Sequence, residues 1–215
     1  MDQKLLFLIN REWTGPVLDR VMTAASSSAL WTVPFVLLLL AVIVRGGFRA
    51  RAFVAVALLA VVLCDSVAGY GIKRAVGRLR PHQSEFGVRQ LSLAYPVWKG
   101  IFLPVQEETS LGNSTETAGR SFPSNHAANT ACAAMLAAIF FRRRGWLAFF
   151  PALLVAYSRV YTGSHWPSDV LGGIFLGFGV ALLVLLLAES FWRAFGTRLS
   201  PALAARFPSL LSIPA

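Results

Sequence analysis

The sequence predicts an all-α fold: a polytopic transmembrane helical bundle of five to six spans, preceded by amphipathic interfacial helices. Three observations predict it. Hydrophobic residues make up 56% of the 215 positions and charged residues only 14%, against roughly 25% charged in a soluble domain. Five apolar segments approach the ~20 residues that a bilayer-crossing helix requires. The remaining charges gather at the ends of those segments. The length suits one membrane domain, 29–192, with an amphipathic segment over 1–28 and a tail over 193–215.

In 1–28, Leu5, Leu6, Leu8 and Ile9 are apolar, but Asn10, Arg11, Glu12, Asp19 and Arg20 interrupt them. That pattern reads as one or two helices lying at the interface, Pro16 opening the second, with a sixth span as the alternative. The N-terminus has mixed charge and no small-residue cleavage site, so no cleavable signal peptide is expected. The spans fall at 24–44, 52–72, 126–141, 146–162 and 169–191. Residues 82–120 form a polar connection carrying Tyr95, Trp98, Phe102, Glu107, Glu108 and Glu116. It reads either as a solvated loop with a short interfacial helix or as a lid. The tail from Ser200, with Pro201, Pro208 and Pro214, is expected to be loosely held.

A net charge of +10 raises nucleic acid as a partner, but no basic face is interleaved with aromatics, so that partner is set aside. Lipid headgroups and phosphate esters are the anions left. Arg45, Arg49 and Arg51, then Arg142, Arg143 and Arg144, then Arg193 and Arg198, fall on one side of a five-span chain, which should be cytoplasmic. Lys73, Arg74, Arg78 and Arg80 break that rule on the other side, where function must hold them. Cys64 and Cys132 sit inside apolar segments without metal-ligand spacing and read as small apolar fillers.

Three polar clusters, each at a span end, fall on that same non-cytoplasmic face. The first holds Lys73 and Arg80, about two helical turns apart and so on one face if helical, with Pro81 ending the helix. Arg suits two phosphate oxygens at once; Lys is a point charge. In the second, Ser124 or Asn125 caps a helix whose free N–H groups would face an anion, and His126 can donate a proton from the first turn. In the third, Asp169 can turn back onto His165, fix its tautomer and leave the other nitrogen free to attack phosphorus, while Arg159 clamps the phosphate. Asp169 would also suit a helix cap. A metal reading uses His126, His165 and Asp169 as ligands, although the nearby Lys and Arg residues suit an anion better. His82 reads as a bystander and Asp65 as a satisfied internal polar group.

Lys-x6-Arg-Pro, Pro-Ser-x-His and Ser-Arg-x5-His-x3-Asp, in that order, resemble the type 2 phosphatidic acid phosphatase family. The motifs cover about 25 residues, and the similar spacing runs from about 50 to 190. The resemblance implies that His165 forms a phosphohistidine, with Asp169 orienting it and His126 as general acid. It implies that Lys73, Arg80, Ser124 and Arg159 hold the phosphoryl oxygens with backbone amides near Asn125, and that no metal or other cofactor is needed. The family usually has Gly where this chain has Asn125; Asn tolerates left-handed backbone. The expected activity is hydrolysis of a lipid phosphate or diphosphate at the non-cytoplasmic face of a bacterial inner membrane. Polyprenyl diphosphate comes first, beside phosphatidylglycerol phosphate or phosphatidic acid, and lipid A. A phosphotransferase using the same phosphohistidine is the alternative. A transporter would place its charges mid-span.

Overall fold

The computed structural model describes residues 1–114 and 120–212, so Glu116 and Pro214 lie outside the described residues. Helix α1 (Asp2–Phe7) runs into a π turn, Leu8–Glu12, and α2 (Pro16–Ser26) begins at Pro16, whose fixed φ suits the first helical position. Of the one or two helices expected in 1–28, two are present. They pack inward rather than lie free: Leu6, Ile9 and Met22 join Val88, Leu91, Tyr161 and Trp166 in one cluster. Asn10, fully buried, locks that contact. Its Nδ2 donates to the carbonyls of Arg89 and Tyr161 at 2.8 and 2.7 Å, and its Oδ1 accepts from the Arg89 amide at 2.8 Å.

Helix α3 (Ser28–Arg45) is capped by Ser27, whose hydroxyl accepts from the Leu30 amide at 3.4 Å. It is apolar all round and has no buried residue, which suits a helix solvated by lipid. Helix α4 (Phe48–Ser66) continues through a π turn, Val67–Ile72, into α5 (Lys73–Val76). Gly77 ends it at φ 60°, a left-handed conformation that favours glycine. Lys73 and Arg80 therefore do not share one helix. Pro81 does not end a helix either; it opens α6 (Pro81–Ser84).

The polar connection holds a β-hairpin that the sequence reading did not foresee. β1 (Phe86–Ser92), α7 (Val97–Gly100) and β2 (Gln106–Leu111) follow one another, with Arg89 opposite Thr109 and Ser92 opposite Gln106. Burial of Val88 and Leu91 holds β1. Arg89 bonds Glu107 across the hairpin at 2.7 Å and Asp19 of α2 at 3.0 Å.

Helix α8 (Asn125–Phe141), a 3-10 stretch (Arg142–Ala148), α9 (Phe149–Tyr161), α10 (Pro167–Leu199) and α11 (Pro201–Arg206) complete the chain. By length and composition three helices among the described residues can cross a membrane: α3, the run that starts with α4, and α10. Helices α8 and α9, with 17 and 13 residues, are shorter than the ~20 of a full span. Ala60 and Cys64 of α4, Cys132, Leu136 and Phe140 of α8, and Ala181 and Val184 of α10 form the bundle core. Both cysteines are buried free thiols, as fillers would be. The tail is anchored through residue 212: Leu210 is buried in this core, its amide donates to Glu189 Oε2 at 2.9 Å, and Trp192 Nε1 donates to the Phe207 carbonyl at 2.8 Å.

Candidate active site

The three polar clusters meet, and backbone hydrogen bonds stitch them together. The Ser121 amide donates to the Arg78 carbonyl at 2.9 Å, joining the second cluster to the first. The Ser124 amide donates to the Asp169 carbonyl at 3.0 Å, joining it to the third. Trp166 Nε1 donates to the Leu79 carbonyl at 2.9 Å, which closes the ring. Fixing peptide groups in this way costs conformational entropy but preorganises what they carry.

His165 is delivered by the turn after α9. Gly163 sits there at φ 69°, and the Ser164 and His165 amides donate to the Arg159 carbonyl at 3.1 and 3.0 Å. The imidazole is 2% exposed, with Nδ1 3.6 Å from Asp169 Oδ2. Burial pushes its pKa down to about 4; Asp169 opposes that shift, while Arg159 and Arg80 add to it. The ring is thus neutral at neutral pH, as a nitrogen nucleophile must be.

Asp169, fully buried at the third position of α10, is held from three sides. The Trp166 amide donates to Oδ2 at 3.0 Å, the Ser121 hydroxyl donates to the same oxygen, and Arg78 Nη1 donates to Oδ1 at 2.8 Å. Asp169 therefore caps α10, and its Oδ2 also faces His165 Nδ1. Arg78 is itself held by Asp2, at 2.5 Å, and its guanidinium lies 4.9 Å from the Trp166 ring centroid. Asp2 also accepts from the Ser168 amide at 2.9 Å and hydroxyl at 2.6 Å. Burial raises the Asp2 pKa, but the Ser168 and Arg78 hydrogen bonds outweigh it and bring it below the usual carboxylate value.

The other expected residues gather around His165. Lys73 stands in the field of Arg80 and Arg159, and His126 in that of Arg159, His165 and Lys73. Arg159 Nη1 donates to the Ser26 carbonyl at 3.2 Å and to its hydroxyl. Arg159 Nε and Ser124 Oγ are buried without a hydrogen-bond partner among the described residues. Buried polar atoms are normally paired, and cations packed this closely call for an anion. Asn125 opens α8 in ordinary helical backbone, and the tolerance of Asn for left-handed conformations is not used. Its side chain turns to Asp65. His82 Nδ1 lies 3.3 Å from the Gly163 carbonyl. Among the described residues, no three His, Cys, Asp or Glu side chains are arranged to hold a metal ion.

A match to the PAP2 superfamily model spans residues 49–193. The chain belongs to the PAP2 superfamily. It is a phosphatase of that family, and its apolar helices make it a membrane protein. It is 26% identical to a lipid A 4'-phosphatase of Bacteroides thetaiotaomicron, covering 82% of this chain and 72% of that one. It is 28% identical to phosphatidylglycerophosphatase B of Bacillus subtilis, covering 87% and 80%. A shorter match, 41% identical, covers 29% of this chain and 31% of the undecaprenyl-diphosphatase of Sulfolobus acidocaldarius. The crystal structure of Aquifex aeolicus LpxE shares the fold, with a TM-score of 0.60 at 24% identity over 86% of this chain and 94% of that one.

Arg78, Ser121 and Asp2 complete the site beyond the residues assigned from sequence. Arg78 lies inside the first quoted motif, and Ser121 stands two residues before the second. Asp2 stands more than 160 residues from Ser168, and no local pattern points to it.

Proposed function

We propose that this enzyme hydrolyses the phosphomonoester or diphosphate of a membrane lipid through a phosphohistidine at His165, at the non-cytoplasmic face. The observation that carries the reading is the buried His165–Asp169 pair set among Lys73, Arg80 and Arg159. Asp169 fixes the imidazole through the Nδ1 side, and Nε2 attacks phosphorus as the ester P–O bond breaks. His126 gives its proton to the departing oxygen. Water then attacks the phosphohistidine, His126 takes a proton from it, and phosphate leaves as the P–N bond breaks. Lys73, Arg80, Arg159, the Ser124 hydroxyl and the α8 amides near Asn125 hold the phosphoryl oxygens. Such positioning and charge stabilisation supply most of the catalysis in phosphoryl transfer.

A lipid substrate is supported by the groove below the site. Between α4 and α10 it encloses about 710 Å³, and Val56, Leu59, Leu63, Val184 and Leu187 are among its lining residues. Ser66 also lines it, next in the chain to Asp65, so a tail can run along the groove from a headgroup at the site. Polyprenyl diphosphate, phosphatidylglycerol phosphate or phosphatidic acid, and lipid A are the candidate substrates.

The test is phosphate release from these lipids by purified protein in detergent, with and without EDTA, beside His165→Ala. Release that survives EDTA and vanishes in the variant is expected. Loss on EDTA would overturn the metal-free mechanism. Release only with an added acceptor alcohol would make the protein a transferase.

A further inference from the structure

Beside the phosphate site lies a second polar cluster that the proposed reaction does not use. Asp65, exposed on the last turn of α4, accepts at one oxygen, Oδ1, from Asn125 Nδ2 at 2.8 Å and from Asn129 Nδ2 at 3.0 Å. Each carboxamide spends one of its two N–H groups in these bonds. The carboxamide oxygens of Asn125 and Asn129 are buried and have no partner among the described residues. Asp65 Oδ2 accepts no hydrogen bond there either. What remains, besides the second N–H of each carboxamide, is three acceptor atoms without a partner among the described residues.

Charge and buried acceptors within a membrane protein are costly and are retained where function uses them. A structural role would leave the cluster satisfied; here the Asn125 and Asn129 oxygens are buried without a partner among the described residues, beside an exposed Asp65. We infer that Asp65, Asn125 and Asn129 form a subsite for a hydrogen-bond donor, a hydroxyl or amide N–H, on the leaving group of the lipid phosphate. The inference rests on the phosphatase reading above and narrows its substrate class.

The placement fixes which side of the phosphorus the subsite serves. Asp65 acts electrostatically on His126 and on Lys73. The charges acting on His165 are Arg159, Arg80 and Asp169. Nucleophile and acid lie on opposite sides of the phosphorus in an in-line displacement, so Asp65 stands on the acid's side, where the alcohol departs. A sugar or glycerol leaving group offers a hydroxyl or amide there. A lipid diphosphate instead puts its second phosphate against the Asp65 carboxylate, and like charges repel.

The experiment measures kcat/KM for phosphatidylglycerol phosphate, phosphatidic acid, a lipid A phosphate and a polyprenyl diphosphate. It compares wild type, Asp65→Ala, Asp65→Asn and Asn129→Ala in one detergent. Wild type should prefer the glycerol and lipid A substrates to phosphatidic acid by roughly tenfold, one hydrogen bond to a charged group being worth about that much. Asp65→Ala and Asn129→Ala should erase the preference, and Asn129→Ala should leave phosphatidic acid hydrolysis unchanged. Asp65→Asn should raise diphosphate hydrolysis relative to the others. An equal fall on all four lipids would make the cluster structural and overturn the proposal, as would an unchanged order of substrates. If wild type releases phosphate from none of them, the phosphatase reading itself fails and takes the subsite with it.

Discussion

Arg78 divides its guanidinium between two carboxylates, Asp169 at 2.8 Å and Asp2 at 2.5 Å, with the Ser168 hydroxyl as a third partner. A planar fork can serve several acceptors at once; an ammonium cannot do so with the same geometry. Arg78→Lys should therefore lower kcat by about tenfold with KM little changed, because Asp169 loses its support rather than the phosphate its ligands. Asp2→Asn keeps the shape and weakens one ion pair, so its loss should be smaller; steady-state kinetics at one pH separates the two. His165 carries a prediction of a different sign. Its folded pKa of about 4 lies below the ~6.5 of a free imidazole. Between those values the unfolded chain takes up a proton that the native chain refuses. Stability should therefore fall as pH drops from about 6.5 toward 4, and His165→Asn should flatten that slope of apparent Tm against pH. At this scale the sequence is legible where motif spacing brings side chains together, as for His165 and Asp169. It is mute for Asp2, whose role comes only from the tertiary approach of the N-terminus to Ser168.

Helices α8 and α10 meet backbone to backbone, which sets where His126 stands relative to Asp169. A Cβ on Gly177 would lie 2.2 Å from the Ala128 carbonyl, whereas one on Gly179 would meet nothing within 4 Å. Gly177→Ala should thus force the helices apart and lower the apparent Tm and the activity together; overpacking of this kind costs about 1–3 kcal/mol. Gly179→Ala should leave both intact, and thermal unfolding in detergent compares them. Long apolar helices were legible because burial in lipid demands a continuous apolar run. The break after α5 was not read, although Gly77 marks it, because Lys73 and Arg80 keep a helical spacing on paper. The hairpin escaped for a related reason. In Gln106–Leu111 most residues are exposed and polar, so β2 depends on pairing with β1 and on the Arg89–Glu107 bond, neither of which has a local signature.

On the scale of the whole molecule, the cations sort into two groups by function. Phe48, at the start of α4, stacks on Phe207 at 4.5 Å and lies 5.2 Å from Trp192. The junction of α3 and α4, flanked by Arg45, Arg49 and Arg51, therefore shares one end of the bundle with Arg193 and Arg198. Helix α8 runs from Asn125 at the site to Phe141, a rise of about 25 Å at ~1.5 Å per residue, and so carries Arg142, Arg143 and Arg144 away from it. By the positive-inside rule that end would face the cytoplasm, and in the proposed reading the cations around His165 would then face outward, where the lipid phosphate needs them. Cysteines introduced one at a time at exposed positions test this, since Cys64 and Cys132 are buried. Thr109→Cys, on the hairpin beside the site, should react with a membrane-impermeant thiol reagent on intact cells. Arg143→Cys should react only after the membrane is opened. The reverse pattern would place the site inside the cell and restrict its substrates to lipids of the inner leaflet. Labelling of both from outside would mean that α8 and α9 do not carry the chain across.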